Sequence, residues 1–197
     1  MILHTFGDSH ALHPWERIKL DNLNIKIHIL SRGNNFPMTC STFGFQKLKY
    51  LNIKDYEVND NDIICFCFGE TDCRFKLHKY KENYQELINK IVENYFKAIK
   101  LNVEQFHNIL TIIVSVPPVV QFALEKNKSS FPVLGEDSDR KKYSEYFNSQ
   151  LKIKCLEYEY INLDSYNLYL NDAGYLNSLY SDNLCHIMDA IYAIRIN

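Results

Sequence analysis

Two short motifs at opposite ends of the chain contain serine, histidine and aspartate, the residue types that combine in nucleophilic catalysis. Phe6-Gly7-Asp8-Ser9-His10 directly follows the apolar start of the chain, and Asp182 lies four residues before His186. A serine on a tight, glycine-containing turn can act as a nucleophile when a histidine takes its proton and a carboxylate orients that histidine. The motifs therefore predict Ser9 as nucleophile, His186 as its base and Asp182 as the partner of the base.

The bulk properties of the chain exclude several classes of protein. Its 197 residues, with a formal net charge of −2, fit a single domain over residues 1–197. Lysines are scattered among acidic residues, so we expect no nucleic-acid partner. The longest apolar run, 109–116, is far below the ~20 residues of a membrane span, so we expect no membrane partner. The N-terminus lacks the basic start and apolar segment of a signal peptide, which predicts a cytoplasmic protein.

The cysteines and the N-terminal histidines are candidates for metal ligands. Six cysteines occur, at positions 40, 65, 67, 73, 155 and 185, and none forms a Cys-x-x-Cys pair. We interpret them as free buried thiols, with a zinc site at Cys65, Cys67 and Cys73 as a poorly spaced alternative. His4 lies within a predicted strand and is expected to pack in the core. We therefore expect neither a metal nor a cofactor.

The hydrophobic pattern predicts five strands that alternate with helices. The strands are predicted over 2–6, 25–30, 62–68, 109–116 and 156–163, and the helices over 12–20, 38–51, 80–101, 140–151 and 183–194, with a long loop over 126–139. This alternation predicts an α/β fold: a three-layer α/β/α sandwich with about five parallel strands and flavodoxin-like winding. Ligands of such folds bind at the carboxyl ends of the strands, where Ser9 and Thr71-Asp72 are predicted to lie.

Four short blocks, in order along the chain, resemble those of the GDSL-type, or SGNH, hydrolases. The first is Gly7-Asp8-Ser9, in which the family's serine is the nucleophile. The second is a glycine after the second strand, whose backbone N–H contributes to the oxyanion hole of the family. Gly33 fits this position best, and Gly44 is a weaker candidate.

The third block departs from the family pattern. The family has Gly-x-Asn-Asp, whereas this chain has Gly69-Glu70-Thr71-Asp72. Thr71 thus replaces an asparagine whose side chain donates a hydrogen bond to the oxyanion in the family. Loss of one such donor typically lowers the rate ~100–1000-fold, so we expect either weak catalysis or a substitute donor, for which Arg74 is the candidate. Glu70, Thr71 and Asp72 can alternatively act only as a cap of the following helix.

The fourth block also departs from the family pattern. The family has Asp-x-x-His, but here Asp182 lies one residue too far from His186, and Asn183 occupies the family's aspartate position. One extra loop residue would bring Asp182 back to the imidazole, and we favour Asp182 over Asn183 as the partner of His186. Alternatively, Asp182 is only a helix N-cap, a common role of aspartate.

The resemblance implies a serine esterase that cleaves a short acyl ester, in particular an O-acetyl group on a carbohydrate, through an acyl-serine intermediate. Its partner would be a small-molecule or glycan ester. The residues expected to contact the oxyanion or the substrate are Gly33, Thr71, Asp72, Arg74, Asp8 and Glu70. Two alternatives remain: an O-acyltransferase that uses the same site, and a non-catalytic binding module on a degenerate scaffold. The binding module is favoured if Ser9, His186 and a carboxylate do not lie within hydrogen-bond reach of one another.

Overall fold

A five-stranded, all-parallel sheet forms the centre of the molecule. The computed structural model describes residues 1–13, 15–19, 23–31, 38–46, 51–121 and 133–188. The strands are β1 (Ile2–Gly7), β2 (Asn24–Ile29), β3 (Ile63–Cys67), β4 (Leu110–Val114) and β5 (Ile161–Leu163), in the spatial order β2-β1-β3-β4-β5. The winding direction reverses between β1 and β3, and this is where ligands bind in doubly wound sheets.

Three α-helices cover one face of the sheet: α1 (Cys40–Gln46), α2 (Tyr84–Val103) and α3 (Asp137–Tyr158). The side chains of β3 alternate between the faces, so that Ile64 and Phe66 pack under these helices while Cys65 and Cys67 point to the opposite face. The buried side of α2 has the predicted helical spacing, from Ile88 to Ile99. Burial on both faces explains the continuous apolar sequence of β3.

The opposite face is covered, within the described residues, by short 3₁₀ turns and irregular segments. Trp15 from the 3₁₀ turn Trp15–Arg17 packs there together with Tyr169, Leu176 and Ile187. The α/β class, the parallel sheet and the flavodoxin-like strand order are thus as predicted. No helix in the described ranges is both long and apolar enough to cross a bilayer.

Several predicted element boundaries were wrong, mainly in the C-terminal half. The helix expected over 140–151 begins at Asp137 and continues to Tyr158, so the last strand is reduced to Ile161–Leu163. Leu156, which we assigned to that strand, is 78 % exposed on α3. Glu159 then adopts a left-handed conformation, φ +57°, which ends the helix and turns the chain into β5.

The closing helix predicted over 183–194 does not begin at Asn183. Residues 183–185 form bends, and Ser181 pairs with Ile187 in an isolated antiparallel bridge. Residues 189–194 lie outside the described ranges, as does the part of the predicted 126–139 loop up to residue 132.

Candidate active site

The turn after β1 holds Ser9 at the carboxyl edge of the sheet. Strand β1 ends at Gly7, where a Cβ atom would lie only 2.1 Å from the carbonyl oxygen of Cys67, so a side chain is excluded. Asp8 then caps a 3₁₀ helix, Ser9–Ala11, because its Oδ1 accepts from the backbone N–H of His10 at 2.9 Å. The glycine and the aspartate of this motif therefore fix the backbone on which the serine lies.

The loop 181–187 presents His186 through the left-handed conformation of Asn183. Asn183 has φ +62° and is exposed, which turns the chain so that Asp182 faces the imidazole four residues later. The carboxylate Oδ2 of Asp182 lies 2.5 Å from Nδ1 of His186. Its Oδ1 accepts from the backbone N–H groups of Leu184, Cys185 and His186 at 2.8–3.0 Å. Asp182 is thus both the cap of this loop and the hydrogen-bond partner of the histidine.

Ser9, His186 and Asp182 form one continuous hydrogen-bonded chain. The hydroxyl oxygen of Ser9 lies 2.7 Å from Nε2 of His186, although the two residues are 177 positions apart in sequence. Because an ionised Asp182 can only accept, Nδ1 of His186 carries the proton and Nε2 accepts from the serine hydroxyl. This arrangement can remove the proton of Ser9 when the serine attacks an electrophile.

The electrostatic surroundings favour the protonation states that such chemistry needs. Burial opposes ionisation of Asp182, but the hydrogen bonds from His186 and from the backbone of Leu184 outweigh burial and lower the pKa of this carboxyl. Burial lowers the pKa of His186, and the neighbouring His10 lowers it further, against the opposing effect of Asp182. A neutral imidazole paired with a carboxylate is the state in which a histidine can act as a base.

The third block begins at Gly69, two residues after the end of β3. The side chains of Glu70, Thr71 and Asp72 each contact a different part of the molecule. Gly69 has φ +120°, and a Cβ atom there would contact Val116 at 2.6 Å. The buried Glu70 accepts from Nε of Arg74 at 2.7 Å. The hydroxyl of Thr71 donates to Oδ2 of Asp8 at the long distance of 3.5 Å, which places Thr71 beside the nucleophile turn.

Asp72 is directed to α1. Its carboxylate accepts from the Ser41 hydroxyl at 2.6 Å and from the Ser41 backbone N–H at 3.2 Å, and Lys76 lies 3.5 Å away. Burial raises the pKa of the Asp72 carboxyl, against the opposing effects of Lys76 and Ser41. These contacts show Asp72 joining the third block to α1. Glu70 of the same block, by contrast, pairs with Arg74.

Arg74 and Glu70 line a cleft beside the histidine loop. The space inside the cleft that a water-sized molecule can occupy is about 20 Å³, and its other walls include Val116, Pro117 and Cys185. Oε2 of Glu70 is buried without a hydrogen-bond partner within the described residues. The cleft therefore combines apolar walls with a carboxylate and a guanidinium.

The second block had two candidate glycines for the oxyanion hole, Gly33 and Gly44. Gly33 lies outside the described residues. Gly44, the weaker candidate, lies within α1, where its Cα packs so closely on α2 that a Cβ would be 2.8 Å from the backbone nitrogen of Tyr95. Gly44 is thus a helix-packing residue.

The sequence reasoning did not find the role of His10. Its Nδ1 lies 2.8 Å from Oδ1 of Asp8 and its Nε2 lies 3.1 Å from the carbonyl oxygen of Cys185. His10 thereby links the nucleophile turn to the loop that bears His186. The sequence Asp8-Ser9-His10 indicated the contact of His10 with Asp8. Nothing in the sequence indicated its contact with the carbonyl oxygen of Cys185, because that residue lies 175 positions away.

His10, Cys185 and His186 also form a group of ligand-type side chains whose donor atoms lie within 4.8 Å of one another. All four ring nitrogens of the two histidines already have hydrogen-bond partners. Burial raises the pKa of the Cys185 thiol to about 11, which disfavours the thiolate that a metal binds. A metal ion here would have to displace the contacts of the triad. All six cysteines are free and buried, as predicted.

Comparison with solved structures identifies the fold. A proposed acylhydrolase from Bacteroides fragilis NCTC 9343 superposes with a TM-score of 0.58 at 12 % identity, covering 99 % of this chain and 81 % of its own. A carbohydrate acetylesterase from Sinorhizobium meliloti gives 0.52 at 14 % identity, with 82 % of each chain covered. A lipolytic G-D-S-L family protein from Veillonella parvula DSM 2008 gives 0.52 at 16 % identity, covering 85 % and 79 %. The chain has the α/β fold of these proteins.

Sequence comparison adds nothing to this likeness: no protein-family model and no curated protein matches the chain. At 12–16 % identity the structural likeness concerns the fold. The function of this chain must therefore be argued from its own side chains.

Proposed function

We propose that this protein is a serine esterase that cleaves short acyl esters through an acyl-serine intermediate. The observation that carries the proposal is the chain of hydrogen bonds from Ser9 through His186 to Asp182 at the carboxyl edge of the sheet. The non-catalytic alternative required these groups to be out of reach of one another, and their contacts at 2.7 and 2.5 Å favour the enzyme instead.

The proposed reaction has two halves that use the same histidine. As Ser9 Oγ attacks the acyl carbonyl, its proton moves to Nε2 of His186, and the resulting imidazolium is stabilised by Asp182. The tetrahedral intermediate then collapses: the ester C–O bond breaks, the alcohol leaves with the proton from His186, and the acyl group stays on Ser9. A water molecule, deprotonated by His186, attacks the acyl-serine and releases the acid, which restores Ser9.

The developing negative charge on the carbonyl oxygen needs hydrogen-bond donors. We assign this role to the backbone N–H groups of Ser9 and Gly33, with the hydroxyl of Thr71 as the side-chain donor. Thr71 lies next to the Ser9 turn, and its hydroxyl would leave the long contact with Asp8 in order to donate to the oxyanion. Preorganised donors of this kind account for a large part of the rate enhancement of acyl-transfer enzymes.

The proposed substrate is an O-acetyl or similarly short ester on a carbohydrate. Two features of the cleft support it: the apolar walls at Val116 and Pro117, and the polar side chains of Glu70 and Arg74 beside them. Sugar hydroxyls are donors that a carboxylate can bind. The structural likeness to a carbohydrate acetylesterase agrees with this choice.

Labelling with a fluorophosphonate probe tests the proposal directly. We expect the wild-type protein to be labelled at Ser9, Ser9→Ala to be unlabelled, and the hydrolysis of an acetyl ester to be lost in the same variant. Ser41→Ala is the matched control, because Ser41 also has a basic partner, with its Oγ 2.7 Å from Nζ of Lys76. Labelling at Ser41, or no labelling of folded protein, would refute the proposal.

A further inference from the structure

His10 lies between the two halves of the candidate site. It belongs to the same 3₁₀ helix as Ser9, and through Nε2 it contacts the carbonyl oxygen of Cys185, the residue before His186. Its other nitrogen, Nδ1, contacts Oδ1 of Asp8. The side chain of His10 is about 10 % exposed, and that of Asp8 about 1 %. A single buried imidazole therefore connects the turn of the nucleophile to the loop of the base.

The partners of His10 determine its protonation state. A backbone carbonyl can only accept a hydrogen bond, and so can an ionised carboxylate. If one ring nitrogen lacked a proton, its lone pair would face an acceptor and that nitrogen would have no hydrogen bond, at a cost that folded proteins avoid. Both nitrogens are satisfied only when both carry protons, so the geometry requires the imidazolium.

The electrostatics agree with the geometry. Burial by itself lowers the pKa of His10, but the Asp8 carboxylate, together with the side chain of Cys185, outweighs burial and holds the pKa of this imidazole well above its ordinary value. His10 is thus charged at neutral pH.

This fixed charge lies next to the base. The ring centroids of His10 and His186 are 5.0 Å apart. The other titratable groups around His186 are Asp182 and Cys185 on its own loop, and His13 on the N-terminal segment, whose ring lies 4.9 Å away and whose Nδ1 contacts Glu16 at 2.8 Å. Beyond Cys185 lie Glu70 and Arg74, and behind His10 lies Asp8. Of the two neighbouring imidazoles, His10 is the one that hydrogen-bonds to the backbone of the His186 loop within the described residues.

We propose that His10 is a positioning residue: as a buried imidazolium it holds the Ser9 turn against the His186 loop, and its charge keeps His186 unprotonated at mildly acidic pH. The effect of His10 on the reaction rate rests on the proposed esterase function. The protonation state of His10 does not, and this state can be measured whether or not the protein hydrolyses esters. The buried pair of Asp8 and His10 would thus widen the working pH range of the base towards acid.

Nuclear magnetic resonance of the histidine ring nitrogens tests the protonation state in the wild-type protein. We expect long-range ¹H–¹⁵N spectra to show both nitrogens of His10 protonated from pH 5 to beyond pH 7.5, while His186 titrates below the ordinary histidine value of about 6.5. A His10 ring that loses its proton at about pH 6.5 or below would overturn the proposal without any reference to activity.

The variants His10→Gln and His13→Gln test the effect on the base. Glutamine at position 10 can keep one of the two hydrogen bonds, but it carries no charge. Two charges 5 Å apart in a partly solvated site, with Asp8 offsetting part of the effect, should shift the pKa of His186 by about half to one unit. We therefore expect the acidic limb of kcat/KM, and the titration of His186, to move upward by this amount in His10→Gln.

His13→Gln is the control, since it removes a ring at a similar distance from His186 that has no hydrogen bond to the His186 loop within the described residues. Equal shifts in the two variants, or no shift in His10→Gln, would refute the role of His10. If His10→Gln fails to fold, the wild-type titration still decides the protonation state. If Ser9→Ala keeps full activity, the esterase proposal fails while the His10 titration remains interpretable.

Discussion

Replacing Asp182 by asparagine tests the candidate triad at the position where the sequence departs most from the family pattern. The two side chains have the same shape, but asparagine exchanges one carboxylate oxygen for an NH₂ group. In the wild-type protein, Oδ1 accepts three backbone N–H groups, and Oδ2 contacts Nδ1 of His186 at 2.5 Å. The three N–H groups will hold the amide oxygen on their side, so the NH₂ group of the variant will face the imidazole.

The magnitude follows from the tautomer that this change enforces. Opposite an NH₂ donor, Nδ1 of His186 must accept, and the ring proton moves to Nε2. Nε2 then presents N–H to the Ser9 hydroxyl and can no longer take its proton. Enforcing the wrong tautomer in such a triad lowers kcat ~10⁴-fold, which corresponds to about 5.5 kcal/mol of transition-state stabilisation. The loop should survive, because asparagine caps as well as aspartate.

The assay is the hydrolysis of a chromogenic acetyl ester, with thermal unfolding measured on the same samples. Asn183→Gly is the matched control, because glycine accepts the left-handed conformation at φ +62°. Within the described residues, the exposed Asn183 is held by its backbone N–H, which donates to the Ser181 hydroxyl, and not by its side chain. We expect Asn183→Gly to keep activity within a few-fold. If Asp182→Asn loses less than tenfold while Ser9→Ala is inactive, the carboxylate does not orient the base.

Two further predictions concern the oxyanion donor and the stability of the sheet. Thr71→Asn should raise kcat on an acetyl ester by about tenfold, because a longer amide donor can reach past Asp8 to the oxyanion. One such donor typically changes the rate ~100–1000-fold. An unchanged kcat in steady-state kinetics would indicate that Thr71 has no such role. Burial lowers the pKa of His28 to about 4, so the unfolded chain takes up a proton near pH 6.5 that the folded chain does not. The stability contributed by the neutral ring is complete above pH 6.5 and is lost as the pH falls towards 4. Its loss should be about 1–2 kcal/mol after allowance for the partial exposure of the ring. Urea unfolding between pH 4.5 and 7 should therefore show a flatter pH dependence in His28→Phe than in the wild type or in the exposed control His107→Phe, and identical slopes would contradict the reasoning.

The elements that position the site were predictable because their signals are local. The apolar alternation of β2, the continuous apolar run of β3 and the helical spacing of α2 are each contained within a few turns of chain. These patterns correctly predicted five parallel strands and their order. They also placed Ser9 and Gly69 at carboxyl ends of strands. The C-terminal boundaries were missed because exposed apolar residues such as Leu156 on α3 imitate a strand.

For His4, the buried histidine of β1, the sequence predicted burial but not the hydrogen-bond partners. His4 was expected in the core, and it is fully buried, with Nδ1 3.0 Å from Nε2 of His28 and Nε2 3.4 Å from Asp62. Its burial followed from its place within an apolar strand. Its partners did not, because they come from the neighbouring strand and from the residue before β3.

The sequence by itself determined the fold class and the residue types available for catalysis, since both depend on patterns within short segments. Only the tertiary structure decided which atoms meet: Asn183 turns the chain so that Asp182 reaches His186, Asp72 turns to Ser41, and His10 reaches the Cys185 carbonyl. These contacts join residues that are 4, 31 and 175 positions apart. Backbone conformation decides the first contact, and the approach of segments far apart in sequence decides the other two. Neither can be read from the spacing of residues along the chain.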